Sequence, residues 1–189
     1  MEINLANLES RHAHDLLSSA LIPRPIAWVS TISKDGQMNL APFSFFTGVT
    51  WSPPTLAFSP VNRPDGSQKD TVCNILDVPE FVIHIVSVNL QSAMEKSAQS
   101  IPCGEDEATL STIHFVPSKI VRPPRIQESR IAFECTLEKH VVVGEGACAG
   151  NLIVGCIQLA HFDDDVLMND REVDVSSLDP LGRLSGNRY

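Results

Sequence analysis

The sequence predicts a mainly β domain: a closed or partly closed antiparallel barrel with a few short helices. Three observations carry that reading. About seven runs are dense in β-branched and aromatic residues, and turns containing glycine or proline separate them. Helical periodicity is confined to two or three short stretches. Strands do not alternate regularly with helices, as a doubly wound parallel sheet would require.

The first element is a helix over residues 8–19, with Leu8, Ala13, Leu16, Leu17 and Ala20 at helical spacing. Pro23 and Pro25 stop it, because a proline ring fixes φ and removes a donor. The run 26–33 (IAWVSTIS) reads as a strand, and Lys34-Asp35-Gly36 as the hairpin turn after it. The return run, Gln37 to Val49, contains a proline, a glycine and small residues, so it reads as a strand that is irregular or broken by a bulge. A third strand spans 55–60 (TLAFSP). The polar loop 61–70 leads into a helical turn at TVCNILD, with Asp70 near its start. Strand character returns at 80–88 (EFVIHIVSV), then a helix over about 90–100 and a polar surface excursion over 101–112. Further strands are expected at 114–121, 131–145 and 151–164, the last two as a hairpin broken at Gly144–Gly150. The tail from Asp163 is acidic and rich in turn residues.

A length of 189 residues suits one domain spanning 1–189, with enough chain to bury a core. Hydrophobic residues make up 43% and charged residues 20%, as in ordinary folded proteins. The net charge of −9 argues against nonspecific binding to nucleic acid or to an anionic membrane. No apolar run is long enough to cross a bilayer, and the N-terminus lacks the apolar stretch of a signal peptide, so a cytoplasmic location is expected. Cys73, Cys103, Cys135, Cys148 and Cys156 include no CxxC pair, so they read mainly as small buried hydrophobes. The six histidines lack local metal-ligand spacing, and no metal site is expected. The motifs GxGxxG, GxxxxGK[ST], HExxH and GxSxG are all absent.

Two segments bear on chemistry. Residues 67–74 place Lys69, Thr71 and several backbone N–H groups at a helix start, where free donors and the positive dipole end suit a phosphate. The same residues also read as an ordinary N-cap at Asp70 beside a solvated lysine. Asn39 to Phe46 sets a proline and small residues among aromatics. That segment suits either a flat heterocycle held by backbone groups or a bulged core strand.

Four motifs in order resemble the flavin reductase-like family of FMN-binding split-barrel proteins, which includes flavoredoxin. They are IPRPIAWVST (22–31), NLAPFSFF (39–46), KDTVCN (69–74) and DPLGRLSGNRY (179–189), and the similarity extends over nearly the whole chain. The resemblance implies a split β-barrel, an antiparallel Greek-key barrel with short peripheral helices. It implies FMN, rather than FAD, held without a covalent bond at the interface of a homodimer. Ala41, Pro42, Phe43 and Ser44 would contact the ring, with Ser30 and Thr31 near the ring or ribityl chain. Ser59, Lys69, Asp70 and Thr71 would hold the phosphate and adjacent hydroxyls. Arg183 to Asn187 would form a loop approaching the flavin, within which Ser185 stands where the family commonly has glycine.

The activity so implied is an oxidoreductase of the flavin reductase type, taking hydride from NAD(P)H as a transient co-substrate. A flavin-dependent monooxygenase or a redox protein would accept the electrons. The cofactor carries the chemistry, so no catalytic acid or base is assigned. Two other readings are an FMN-bearing electron carrier without productive NAD(P)H binding, and a barrel that binds another flat ligand such as haem.

Overall fold

The structure is a computed structural model and describes residues 1–98, 112–169 and 171–189. Seven strands form one antiparallel sheet: β1 (Ala27–Ile32), β2 (Met38–Phe43), β3 (Phe46–Trp51), β4 (Pro54–Phe58), β5 (Glu80–Ile85), β6 (Ile131–Val143) and β7 (Gly150–Phe162). Their spatial order is β2-β1-β5-β6-β7-β4-β3. The helices are α1 (Ser10–Ala20), α2 (Asp70–Asp77), α3 (Gln91–Ser97) and the single turn α4 (Val175–Leu178).

The two edges of the sheet, β2 and β3, are consecutive in the chain and separated only by Ser44 and Phe45. A flat sheet could not place its outermost strands one corner apart, so the sheet curls until its edges meet along a slit. The run 37–49 is therefore two strands on opposite edges rather than one bulged strand. The β1–β2 hairpin closes as expected: Gly36 takes φ +83°, and the Ser33 N–H donates to the Gln37 carbonyl at 2.8 Å.

Alternation along the strands builds two apolar layers. Inside the barrel, Val29, Phe43, Phe58, Phe81, Cys135 and Ile153 meet in one buried cluster, closed at one end by Ile75 of α2. The Phe58 ring lies 5.3 Å from Phe43 and 5.7 Å, edge-on, from Phe81. Gly155 makes room for this stack, because a Cβ there would stand 2.3 Å from the Phe81 ring. On the outer face Trp28 and Leu40 pack under Met94 of α3 together with Leu181.

Three expectations change. The helix expected over 90–100 is α3, preceded by a 3-10 turn at Val88–Leu90, and the excursion at 101–112 lies almost wholly outside the described residues. Of the strand expected at 114–121, only Phe115–Val116 forms, paired with Arg125–Ile126. Prolines 117, 123 and 124 interrupt this segment. The N–H groups of Lys119, Ile120 and Val121 donate instead to the buried Glu134 carboxylate, at 2.8, 2.6 and 3.1 Å. The apolar stripe of α1 buries little, with Leu17 exposed and Ser18 the buried residue of the helix.

The cysteines differ in environment. Cys135 is buried and Cys156 half-buried, whereas Cys73 and Cys148 are exposed; Cys103 lies outside the described residues. Burial pushes the Cys135 thiol far above the usual thiol range.

Candidate functional site

A cleft lies where the chain crosses the slit. Its walls are the end of β2 with the Ser44–Phe45 corner, the inner side of α1, Lys69 ahead of α2, and the C-terminal segment. It comprises cavities of about 210 and 310 Å³ that share Arg24, Pro42, Phe43, Ser44 and Lys69. The larger reaches the lower end of the ~300–1,000 Å³ typical of small-molecule sites. Ser59 and Val61 belong to the smaller cavity; Ala41, Met94, Arg183 and Tyr189 belong to the larger.

Local sequence explains this placement. Pro42 cannot donate to a ladder, which is tolerable because β2 is an edge strand. At the corner, the Phe45 carbonyl accepts from the Ser59 N–H at 2.9 Å, which brings Ser59 beside the end of β2. Lys69 is the N-cap of α2, in extended conformation and without a side-chain cap bond, so the cap expected at Asp70 does not form. Asp70 instead pairs with Arg63 at 2.8 Å on the surface. Lys69 Nζ stands 5.6 Å from the Phe43 ring centroid. Lost hydration, and then the nearby Arg63 charge, hold its ammonium pKa below the usual lysine range.

Behind the wall a polar network bolts α2 to the sheet. Asn39 Nδ2 donates to Thr71 Oγ1 at 2.8 Å and to Thr31 Oγ1 at 3.4 Å, and Asn74 Nδ2 reaches Thr31 Oγ1 at 3.1 Å. Thr31 and Thr71 are both buried and support the cleft rather than line it. Ser30 faces away: it is buried on the outer side of β1 and donates to the Pro124 carbonyl at 2.6 Å. Of the residues singled out from the sequence, Ala41, Pro42, Phe43, Ser44, Ser59, Lys69 and Arg183 line the cleft. Asn187 is one step behind them, accepting from Arg183 at 3.2 Å. Ser30 and Asp70 are not brought to it.

The C-terminal segment lies against the cleft as a strap. Gly182–Arg183 pairs with Arg24–Pro25 in a two-residue ladder. The Arg183 guanidinium sits 4.6 Å from the Tyr189 ring centroid and also bonds the Tyr189 hydroxyl. Gly186 takes φ +63°, and the Ser185 hydroxyl accepts from Arg188. Ser185 therefore holds the turn of the strap together.

Arg24 and the α1 residues His14 and Ser18 were not singled out from the sequence, yet they line both cavities. The readable signal was a charged residue between two prolines in the apolar stretch LIPRPIAWV. Arg24 is only 8% exposed, and burial followed by the nearby Arg183 charge lowers its guanidinium pKa. The cleft thus gathers Arg24, Lys69 and Arg183 in a chain of net charge −9. Asp15, the carboxylate on its rim, lies 3.1 Å from His14. Among the described residues, no group of three His, Cys, Asp or Glu side chains could hold a metal ion, and no helix is long and apolar enough to cross a membrane.

Residues 18–175 match the model of the flavin reductase like domain. The uncharacterized protein YwrF of Bacillus subtilis is 38% identical over 185 residues, covering 96% of this chain and 90% of its own. Nitrilotriacetate monooxygenase component B from Bacillus cereus superposes with a TM-score of 0.93 at 31% identity, covering 100% of this chain and 94% of that one. A split-barrel-domain protein from Shewanella frigidimarina superposes at 0.82 with 19% identity, over 100% of this chain and 93% of that one, which bears on the fold alone.

Proposed function

The chain belongs to the flavin reductase-like family, and from that premise we propose that its cleft binds FMN and that the protein is an NAD(P)H-dependent oxidoreductase of the flavin reductase type. The observation that carries this reading is the two-ended chemistry of the cleft. A phosphate asks for a cation and hydroxyl donors, and Lys69 and Ser59 meet at the smaller cavity. A flat ring asks for an apolar wall with polar edges, and Ala41 to Ser44 provide one along the larger cavity. The donor set therefore fits the group.

Bound FMN would supply the hydride and electron chemistry. The chain's own part is binding and orientation. Lys69 and Ser59 would anchor the phosphate and the hydroxyls next to it. Pro42 and Phe43 would set the plane of the ring, and the strap with Arg183 and Asn187 would limit water on its far side. None of these groups is asked to move a proton.

We assign the electrons to a separate flavin-dependent monooxygenase or a redox protein. The name of the Bacillus cereus structure, one component of a monooxygenase, supports that assignment. A homodimer is supported by apolar surface on strands: Val49 and Trp51 of β3, and Val141, Val142 and Val143 of β6, are all exposed. The test is an absorbance spectrum of the purified protein followed by anaerobic mixing with NADH and with NADPH. Flavin bands that bleach with either nucleotide are the expected result. Bands that persist with both would replace the reductase with a carrier, and absence of bands after FMN is added would remove the flavin reading.

A further inference from the structure

Arg24 has more to hold than any other side chain of the cleft. Its Nε–H donates to Ser44 Oγ at 3.3 Å. One terminal nitrogen donates to the Ser18 carbonyl and, at 2.7 Å, to the Leu21 carbonyl, both at the end of α1. The other donates to the Leu184 carbonyl of the strap at 3.2 Å. Three segments far apart in sequence therefore converge on one buried guanidinium. We infer that Arg24 is a positioning residue of the cleft, fixing Ser44 as a hydrogen-bond donor toward the ligand and latching the C-terminal strap, residues 182–189, to the end of α1.

The first half follows from donor chemistry. A guanidinium can donate but never accept. Ser44 Oγ must therefore be the acceptor toward Arg24, and its own proton points elsewhere. Ser44 lines both cavities, so that proton is available to an acceptor atom on the ligand. Without Arg24 the hydroxyl could rotate and accept as readily as donate. The second half follows from position. The backbone ladder between Arg24–Pro25 and Gly182–Arg183 is only two residues long, too short to hold a strap alone. The bond to the Leu184 carbonyl lies just past its end and extends the attachment by side chain. A lysine cannot imitate this, since one ammonium does not reach divergent acceptors on both sides of a planar fork.

The ligand half rests on the flavin reading, and the strap half does not, so the experiment has two arms. Arg24→Lys, which keeps charge and bulk, is compared with the unsubstituted chain by hydrogen exchange without flavin. Amides of residues 184–189 are expected to exchange at least about tenfold faster in the variant, with those of β1 and β5 unchanged. Unchanged strap exchange would overturn the latch. In the second arm, FMN dissociation constants are measured for Ser44→Ala with Arg24 intact and in the Arg24→Lys background. Ser44→Ala is expected to weaken binding about fivefold where Arg24 is intact and by less than about twofold in the Arg24→Lys background. Equal losses in both backgrounds would overturn the orienting role. If the unsubstituted chain binds no FMN, the flavin reading falls while the exchange arm still decides the latch. Should Arg24→Lys not fold, nitrogen NMR of the unsubstituted chain reads the same contacts. The Arg24 Nε–H is expected to be protected from solvent and to shift in Ser44→Ala, and a rapidly exchanging Nε–H would overturn the proposal.

Discussion

Lys69 is placed to act by charge alone, since its side chain caps no helix group and faces an aromatic ring rather than a carboxylate. Replacing it by alanine is expected to weaken FMN binding by about 1–3 kcal/mol, the range for losing a charge-assisted contact; flavin fluorescence titration measures it, and an unchanged affinity would remove Lys69 from the site. A second residue-level prediction concerns Gly155. An alanine Cβ would meet the Phe81 ring at 2.3 Å in the closed interior of the barrel. Gly155→Ala should therefore cost about 1–3 kcal/mol of stability, as overpacking does, read from the denaturant midpoint. Lys69 and Arg24 differ in how they could be read beforehand. The position of Lys69 ahead of a helix was legible from contiguous residues, although the hydroxyl expected beside it, Thr71, is buried behind the wall and Ser59 lines the cleft instead. Arg24 was not, because two of its partners, Ser44 and Leu184, lie 20 and 160 residues away, and no local pattern records such a convergence. Ser30 misled for a related reason. It adjoins Thr31 in the strand, but pleating turns it to the opposite face, beneath Pro124.

Among the elements, the loop 117–126 has little secondary structure of its own and is held by two buried side chains of neighbouring strands. Glu134 accepts three of its N–H groups and the His161 Nε2 at 2.6 Å. Burial alone would raise the Glu134 carboxyl pKa, but these donors outweigh it and hold it below the usual range. His84 of β5 accepts the Ile126 N–H through Nε2 at 2.9 Å, so its Nδ1 carries the proton and donates to the Trp28 carbonyl at 2.8 Å. Burial lowers the His84 pKa from 6.5 to about 4. Between those values the unfolded chain takes up a proton that the folded chain refuses. Stability is then complete above about 6.5 and falls as pH drops toward 4, by on the order of 3 kcal/mol from this group. Urea melts across that window should show the slope, and His84→Gln should flatten it. An equally steep slope in the variant would assign it to other groups. This pinning also explains why a strand was expected at 114–121. The apolar pattern of that segment was legible, but a carboxylate 13 to 15 residues further on, capturing its N–H groups, was not.

For the molecule as a whole, the β class was legible because each run alternates or is β-rich over its own length. The expected count of about seven matches the sheet only because the run 37–49 supplies two of its strands while the run 114–121 stays outside it. The order of strands around the barrel was not, because it depends on where the chain leaves one edge and enters the other. β6 and β7 run 13 residues each. β5 pairs with β6 only as far as Thr136, whereas β7 pairs with β4 over Ile153–Cys156, so the Val141–Val143 end of β6 carries exposed valines beyond the β5 ladder. That end of β6 and Trp51, 91% exposed on edge strand β3, are the surfaces a second copy would cover. Sedimentation is expected to give a dimer, and Trp51→Glu should shift it toward monomer without unfolding it. An unchanged distribution would place the interface elsewhere. The corner at Ser44–Phe45 belongs to no strand, while the registers of β2 on β1 and of β3 on β4 are set by other residues. A residue inserted at that corner would widen the slit and leave both ladders in place. The barrel therefore keeps the ladders that fix its frame separate from the two-residue joint that bounds its opening.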